Sequence, residues 1–223
     1  NIIVKFFRIR RIRDTIFTRM KSAESVMARK SDPSKKVIAA TLKLAAATPW
    51  REITLADIAE AAKLKPEELK KQFSSKLAIL DAFNDQIDAQ VAKEFTNAGT
   101  EESIRDQLFD ILMARFDALQ PHKSAIKSIL RETVPYDPIA SAHGLRVLLR
   151  CMHRTLDLVG TRSLSPIGCV KTKILTVIYL RSFKSWLDDD STDMAKTMAT
   201  LDDGLAKAES LARLIPAPTR KVA

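Results

Sequence analysis

Apolar residues recur every three or four positions along most of this chain, which is the spacing that lines one face of an α-helix. Between Lys36 and Leu80 the pattern predicts three short helices and the start of a fourth. Pro49 ends the first helix, the Thr54 hydroxyl caps the second, and Pro66 suits the first turn of the third. Two short helices joined by a tight turn, with polar side chains facing outward from the second, have the plan of a helix-turn-helix.

The same spacing continues beyond this segment and predicts longer helices. The fourth helix runs on from Ser75 through Val91, and further helices follow at 101–119, 123–132, 139–159, 171–187 and 191–213. No run alternates between apolar and polar residues and the chain has only five glycines, so we predict an all-α fold. No apolar run reaches the roughly 20 residues that a membrane-spanning helix needs.

Basic residues are concentrated in the first part of the chain. The formal net charge is +10; residues 1–32 hold nine Lys or Arg against three Asp or Glu, and residues 33–80 hold nine against five. Residues 81–223 are balanced, with nineteen of each sign. This asymmetry is typical of a module that faces phosphates joined to a neutral partner or ligand domain, although the excess in 33–80 also fits ordinary solubility charge.

The predicted helix-turn-helix resembles the N-terminal domain of TetR-type transcriptional repressors. The resemblance rests on the run Thr54-Leu-Ala-Asp-Ile-Ala-Glu-Ala-Ala62, followed without a gap by Leu64, Leu69, Phe73, Ser75-Lys76 and Ile79-Leu80. It implies a TetR-like all-α fold, in which an N-terminal three-helix helix-turn-helix domain precedes a C-terminal helical domain for ligand binding and dimerisation. The implied function is a homodimeric transcriptional regulator, usually a repressor, that binds a palindromic operator in double-stranded DNA and responds to a small apolar ligand.

The resemblance also implies a division of the chain. We expect a helix-turn-helix DNA-binding domain at 33–80, a helical ligand-binding and dimerisation domain at 81–215 and a short C-terminal tail at 216–223. Residues 1–32 are expected to be a basic, flexible tail. Its Arg-rich residues 1–19 are interpreted as sequence upstream of the native protein or a disordered arm; an amphipathic membrane helix and a targeting leader are the alternatives.

By this resemblance, the DNA-binding surface lies on the helix-turn-helix and mainly on its third helix. The residues assigned to it are Lys36, Thr54, Lys65, Pro66, Glu68, Lys70, Lys71 and Lys76. The lysines are expected to contact phosphates, which position a protein on DNA without reading its sequence. Accordingly, Lys76→Ala is expected to lower the salt slope of binding by about one.

The third helix departs from the usual TetR pattern on this surface. Lys63 stands in the turn where the family usually has glycine, Lys65 where it has Ser or Thr, and Lys70 where Tyr is common. Glu67 and Glu68 replace small residues. In the first turn of a helix they interact favourably with its dipole, whereas near DNA they repel phosphates or accept from a cytosine amino group.

The last two predicted helices carry a second informative pattern. Residues 171–187 are apolar on most sides, and the next helix places four apolar residues in steps of three and four, at Met194, Met198, Leu201 and Leu205. TetR-like repressors commonly dimerise through their final two helices, so these four residues and Leu180 are assigned to the dimer interface. The alternative is that the stripe packs only within one chain.

Four large residues of the second half are assigned to a ligand pocket: Phe116, Met152, Phe183 and Trp186. A purely structural role in the core is the alternative for each of them.

Residues 177–205 also resemble the C-terminal part of the lipid-binding accessory protein of coenzyme Q biosynthesis, which shares the TetR fold. This resemblance rests on the run Trp186-Leu-Asp-Asp-Asp and the helices around it. It implies an alternative function, in which a non-regulatory lipid-binding protein assists ubiquinone biosynthesis at the membrane.

The sequence offers little material for catalysis. Cys151 and His153 are two positions apart and diverge on a helix, while His122, His143 and Cys169 stand apart from them. No glycine-rich phosphate loop or nucleophile motif is present. We therefore expect no metal, no cofactor and no enzyme activity, and the two cysteines suit a reducing cytoplasm.

Overall fold

A computed structural model describes residues 32–95, 103–161 and 166–214, and it is helical throughout, with no strand in these ranges. The helices are α1 (Pro33–Ala47), α2 (Leu55–Ala61), α3 (Pro66–Gln72), α4 (Lys76–Phe95), α5 (Ile104–Leu119), α6 (Lys123–Thr133), α7 (Pro138–Leu158), α8 (Pro166–Leu187) and α9 (Ala195–Leu214). A 3₁₀ turn at Gln120–His122 joins α5 to α6. The predicted all-α fold class is confirmed.

The chain divides into two units between Lys36 and Val37, near the start of α1. The rest of α1 and the helices α2 to α9 belong to the second unit. The predicted C-terminal tail at 216–223 and residues 1–31 of the predicted tail at 1–32 lie outside the described residues, as do residues 96–102 and 162–165. The predicted boundary between the DNA-binding domain and the ligand-binding domain, between residues 80 and 81, falls inside α4. It stays a prediction.

Residues 37–75, called the head here, contain α1 from Val37 onward, α2 and α3. Val37, Ile58 and Leu69 are completely buried in it. The expected cap is present: the Thr54 hydroxyl accepts from the backbone N–H of Asp57, whose carboxylate accepts in return from the N–H of Thr54. These reciprocal hydrogen bonds satisfy two donors that the start of α2 would otherwise leave unpaired.

Residues 76–214, called the body, form a layered bundle. The helix α4 packs against α5 and α7, α8 lies between α7 and α9, and α9 also contacts α5. Three large side chains fill the centre with no exposed surface: Phe116, Met152 and Trp186. The ring of Phe116 stacks on Tyr179 at 5.1 Å and lies 6.0 Å from Trp186.

The turn from α8 to α9 is built around one buried carboxylate. Both oxygens of Asp189 accept hydrogen bonds, from the N–H and hydroxyl of Ser191 and from the N–H and hydroxyl of Thr197. Residues 191–194 therefore form a turn, and α9 begins at Ala195 rather than at the predicted residue 191. The Trp186 ring N–H donates to Gln120, so this part of the Trp-Leu-Asp-Asp-Asp run has a structural explanation.

Candidate nucleic-acid interface and ligand cavity

The turn between α2 and α3 is a Schellman motif that places a lysine in a left-handed conformation. The N–H of Leu64 donates to the carbonyl of Ala59, and the N–H of Lys63 donates to that of Glu60, each at 2.9 Å. Lys63 has a φ of 56°. Glycine is the usual residue at this position of a helix end, which explains why it is usual in the TetR turn.

The third helix buries one face and presents the other to solvent. Leu69 and Phe73 point into the head. The exposed residues of the turn and helix are Lys65, Pro66, Glu67, Glu68, Lys70, Lys71 and Gln72. Five of the eight assigned DNA-binding residues are therefore exposed on this turn and helix, and Thr54 at the start of α2 and Lys36 on α1 are exposed as well.

Glu68 has a structural partner on this surface. Its carboxylate accepts from the backbone N–H of Lys65 at 3.4 Å, and Glu67 stands beside it in the first turn of α3. Both carboxylates therefore lie where the helix dipole favours negative charge.

Lys76 differs from the other assigned lysines, because its ammonium group turns back into the head. It donates to the carbonyl oxygens of Trp50 at 2.8 Å and Ile53 at 2.7 Å, and it lies 4.6 Å from the centre of the Trp50 ring. Burial lowers the pKa of Lys76, while the Glu132 carboxylate acts in the opposite direction. Two of its three N–H groups are thus already engaged, a role that the sequence pattern did not indicate.

A second contact joins the head to the body at the same loop. The backbone N–H of Arg51 donates to the Glu132 carboxylate at 2.8 Å, and the Arg51 guanidinium lies 5.0 Å from the centre of the Tyr136 ring. The last turn of α6 and the turn after it therefore hold the loop that precedes α2.

A cavity of about 370 Å³ lies among α4, α5 and α7. The apolar part of its lining, called the apolar wall, is formed by Val91, Ala92, Ile111 and Leu158. The polar part, called the polar wall, is formed by Asp88, Arg115, Cys151, Arg154, Thr155 and Asp157. None of the four residues assigned to a ligand pocket lines it. Phe116, Met152 and Trp186 are instead fully buried, and Phe183 is half-buried against Trp186 at 5.2 Å between ring centres.

Arg115 is the centre of the polar wall and is 5% exposed. It donates to the Asp88 carboxylate, to the Asn84 side-chain oxygen at 3.1 Å, to the Tyr179 hydroxyl at 3.2 Å and to the Cys151 sulfur at 3.6 Å. Burial alone would lower the pKa of Arg115, but these neighbours together raise it. Burial raises the pKa of the Cys151 thiol to about 11, so the group is a protonated thiol at neutral pH.

Ion pairs connect α4 to α7 along one side of this cavity. His143 lies 2.9 Å from the Asp81 carboxylate, and Arg154 donates to Asp85 at 2.8 Å and to Asp88 at 3.2 Å. Positions 81, 85 and 88 share one face of α4 because they are separated by one helical turn each. A charged residue on an otherwise apolar helix face, as Arg115 is on α5, was the signal in the sequence that could have located the cavity.

The residues assigned to dimerisation do not share one surface. Met194, Leu201 and Leu205 are buried within the single chain and Met198 is half-buried, whereas Leu180 is 44% exposed. The exposed apolar residues of α8 lie on its outer face, at Ile167, Val170, Val177 and Leu180.

Within residues 32–95, 103–161 and 166–214, no group of three or more His, Cys, Asp or Glu residues is arranged to hold a metal ion. No helix in the same ranges combines the length and the apolar character that crossing a bilayer requires.

Solved structures of TetR-family transcriptional regulators share this fold. A regulator from Nitrosomonas europaea ATCC 19718 has a TM-score of 0.67 at 22% identity, over 81% of this chain and 99% of that protein. One from Rhodococcus sp. RHA1 has a TM-score of 0.56 at 17% identity, over 78% and 94% respectively. FadR from Thermus thermophilus, a TetR-family repressor in complex with lauroyl-CoA, has a TM-score of 0.51 at 16% identity, over 85% and 100%. No protein-family model and no curated protein sequence matches the chain. The predicted TetR-like fold is confirmed.

Proposed function

We propose that this protein is a homodimeric, DNA-binding transcriptional regulator of the TetR type, acting as a repressor and controlled by a small ligand. The observation that carries the proposal is the outward surface of α3. Lys65, Lys70 and Lys71 are exposed there, while Leu69 and Phe73 anchor the opposite face of the same helix in the head. A short helix fixed on one side and basic on the other is suited to entering a major groove.

The proposed contacts fall into two classes. Lys70 and Lys71 would neutralise phosphates and so supply binding that is independent of sequence. Base reading would come from the start of α3, where Lys65 matches the acceptors of guanine and Glu67 matches the amino group of cytosine. Glu68 is a weaker candidate for base reading because it already accepts from Lys65 N–H.

Two heads are needed for a palindromic site, and α8 supplies a surface for pairing them. The outer face of α8 exposes Val177 by 66%, Ile167 by 58% and Val170 by 55%. Exposed apolar residues that recur along one side of a helix are typical of an interface. We propose that it packs against the same face of a second copy, which would set two α3 helices about one turn of DNA, roughly 34 Å, apart.

Ligand control is proposed to act through the cavity, because α4 lines it and also begins at the head. Asp88 and Val91 of α4 face the cavity, while Lys76 at the start of α4 holds the loop of Trp50. A ligand that changes the packing of α4 on α7 would therefore move the head. FadR, described with bound lauroyl-CoA, is an example of ligand binding on this fold.

No specific observation favours the alternative of a lipid-binding protein of ubiquinone biosynthesis. The solved structures described above are all transcriptional regulators. We also propose that the protein has no enzyme activity and lies in the cytoplasm, as is usual for a transcriptional regulator.

The salt dependence of binding to an arbitrary DNA duplex tests the proposed surface. Lys71→Ala should weaken binding to all duplexes and lower the slope of log K against log salt by about one. Lys207→Ala, on α9 and paired with Asp203, is the matched control and should leave the slope unchanged. Lys76→Ala distinguishes a phosphate contact from a structural role of Lys76 in the head. An unchanged salt slope together with a less stable protein would identify Lys76 as a structural lysine. Equal slopes for the wild type and Lys71→Ala would contradict the assigned surface.

A further inference from the structure

The cavity has two arginines on its wall, and they are held very differently. Arg115 is enclosed by Asp88, Asn84, Tyr179 and Cys151. The side chain of Arg154 is 49% exposed and its nearest partner, Asp85, is 52% exposed. Arg154 is therefore the cation on this wall that can exchange a partner without breaking a buried network.

We propose that the cavity binds a small amphipathic monoanion, with a short apolar body and a single carboxylate or equivalent group, and that Arg154 is the residue that binds the anion. The inference rests on the proposed function in taking the cavity as the effector site, and it adds the chemical class of the effector and the residue that recognises it.

The exchange of anions at Arg154 is favourable because of where each carboxylate goes. Asp85 is half-exposed and can return to water, where it is well solvated. Asp88 would keep its buried pair with Arg115, so no buried charge is left without a partner. A planar guanidinium also matches a carboxylate with two parallel hydrogen bonds.

Other ligand charges fit this wall less well. A cation would have to compete with both arginines for Asp88, which Arg115 and Arg154 already share. Asp157 also lines the cavity, so a second negative charge on the ligand would meet a carboxylate. The apolar wall of Val91, Ile111 and Leu158 would cover a hydrocarbon body.

The same exchange explains how the ligand would act on the head. Arg154 of α7 forms ion pairs with two carboxylates of α4, Asp85 and Asp88. A bound anion would replace the ion pair between Arg154 and Asp85. The helix α4 would then keep the pair of Asp81 with His143 and the pair of Asp88 with Arg115. By linkage, DNA bound to the head would weaken ligand binding by the same factor as the ligand weakens DNA binding.

Binding is tested with straight-chain monocarboxylates of about four to ten carbon atoms, a range that the cavity volume can enclose. Calorimetric titration of the full chain without DNA should find saturable binding of at least one carboxylate. The primary amide and the amine of the same length should bind at least tenfold more weakly. Equal binding of amide or amine, or no carboxylate binding at millimolar concentration, would overturn the proposal.

Three variants assign the anion to Arg154. Arg154→Gln should weaken carboxylate binding at least tenfold, and Arg181→Gln on α8, 3.9 Å from its nearest carboxylate at Asp203, should not. Asp85→Asn removes the competing carboxylate and should strengthen binding several-fold. This gain keeps the test decisive even if Arg154→Gln fails to fold. Unchanged affinity in Asp85→Asn would contradict the exchange.

The outcome is separate from that of the DNA experiment, because no DNA is present. Carboxylate binding by a protein that binds no DNA would support the ligand class and overturn the regulator. DNA binding without carboxylate binding would support the regulator and overturn the ligand class.

Discussion

At the scale of single residues, Lys63 holds the turn of the helix-turn-helix in a conformation that is unfavourable for a side chain with a Cβ atom. Its φ of 56° lies in the left-handed region, where glycine is at no disadvantage. Lys63→Gly should therefore raise the free energy of unfolding by about 0.5–1 kcal/mol, even though glycine usually destabilises a chain.

Urea unfolding of the full chain measures this effect. The control is Lys71→Gly, because Lys71 lies in α3 itself, where glycine should cost about 1 kcal/mol. A loss of stability in Lys63→Gly as large as that in Lys71→Gly would show that Lys63 is not strained.

The buried carboxylate of Asp189 makes a second residue-scale prediction, on acid stability. Burial would raise its pKa, but the hydrogen bonds from Ser191 and Thr197 outweigh burial and lower the pKa from 3.8 to about 2. Because the pKa is lower in the folded state than in the unfolded state, the ionised carboxylate stabilises the folded protein at pH values above the unfolded-state pKa. This contribution is lost as the pH falls from about 4 to about 2. The shift corresponds to about 2 kcal/mol.

Asp189→Asn should therefore lower the free energy of unfolding by about 2 kcal/mol at pH 7. The difference from the wild type should shrink as the pH falls from 4 to 2. Asp188→Asn changes an exposed carboxylate in the same turn and should have little effect at any pH. A pH-independent difference between Asp189→Asn and wild type would refute the lowered pKa.

At the scale of helices, α9 lies close against α8 at Gly204. A Cβ atom added there would lie 2.8 Å from a methyl carbon of Ile178, which is itself nearly buried. Gly204→Ala should therefore destabilise the fold by about 1–3 kcal/mol, although alanine is the better helix former.

A double-mutant cycle distinguishes this clash from a general effect on α9. In an Ile178→Ala background the added methyl group has room, so Gly204→Ala should become neutral or stabilising. Additive effects of the two substitutions in thermal unfolding would contradict a steric contact.

The helices and their capping were predictable from the sequence, whereas the neighbours of each helix were not. Thr54, Pro66 and the apolar spacing act through local geometry, which depends only on nearby residues. The spacing of Met194, Leu201 and Leu205 shows that one face of α9 is buried, but a period cannot show whether the covering surface belongs to the same chain.

The ligand assignment illustrates the same limit for the cavity. Phe116 and Trp186 were assigned to a pocket; both are fully buried in the centre of the bundle, and neither lines the cavity. The cavity lies where α4, α5 and α7 leave space around Arg115, and this space depends on how three helices pack.

At the scale of the whole molecule, the proposed dimer depends on the outer face of α8. Val177 is the most exposed apolar residue of that face, so Val177→Asp should leave the monomer folded and weaken its dimer at least tenfold. Val134→Asp is the matched control, because Val134 is 59% exposed in the turn after α6 and lies off the α8 face. Sedimentation equilibrium measures both, and a dimer unaffected by Val177→Asp would place the interface elsewhere.

We propose that two copies of α3 read DNA sequence, and selection from a randomised duplex library at about physiological salt tests this claim. The protein should enrich a palindrome whose half-sites lie about one helical turn apart. A protein with Lys65→Ala, at the start of α3, should enrich a site with relaxed preference in each half. Recovery of only salt-sensitive, unselected DNA would contradict the claim and would mean that the exposed face of α3 does not read sequence.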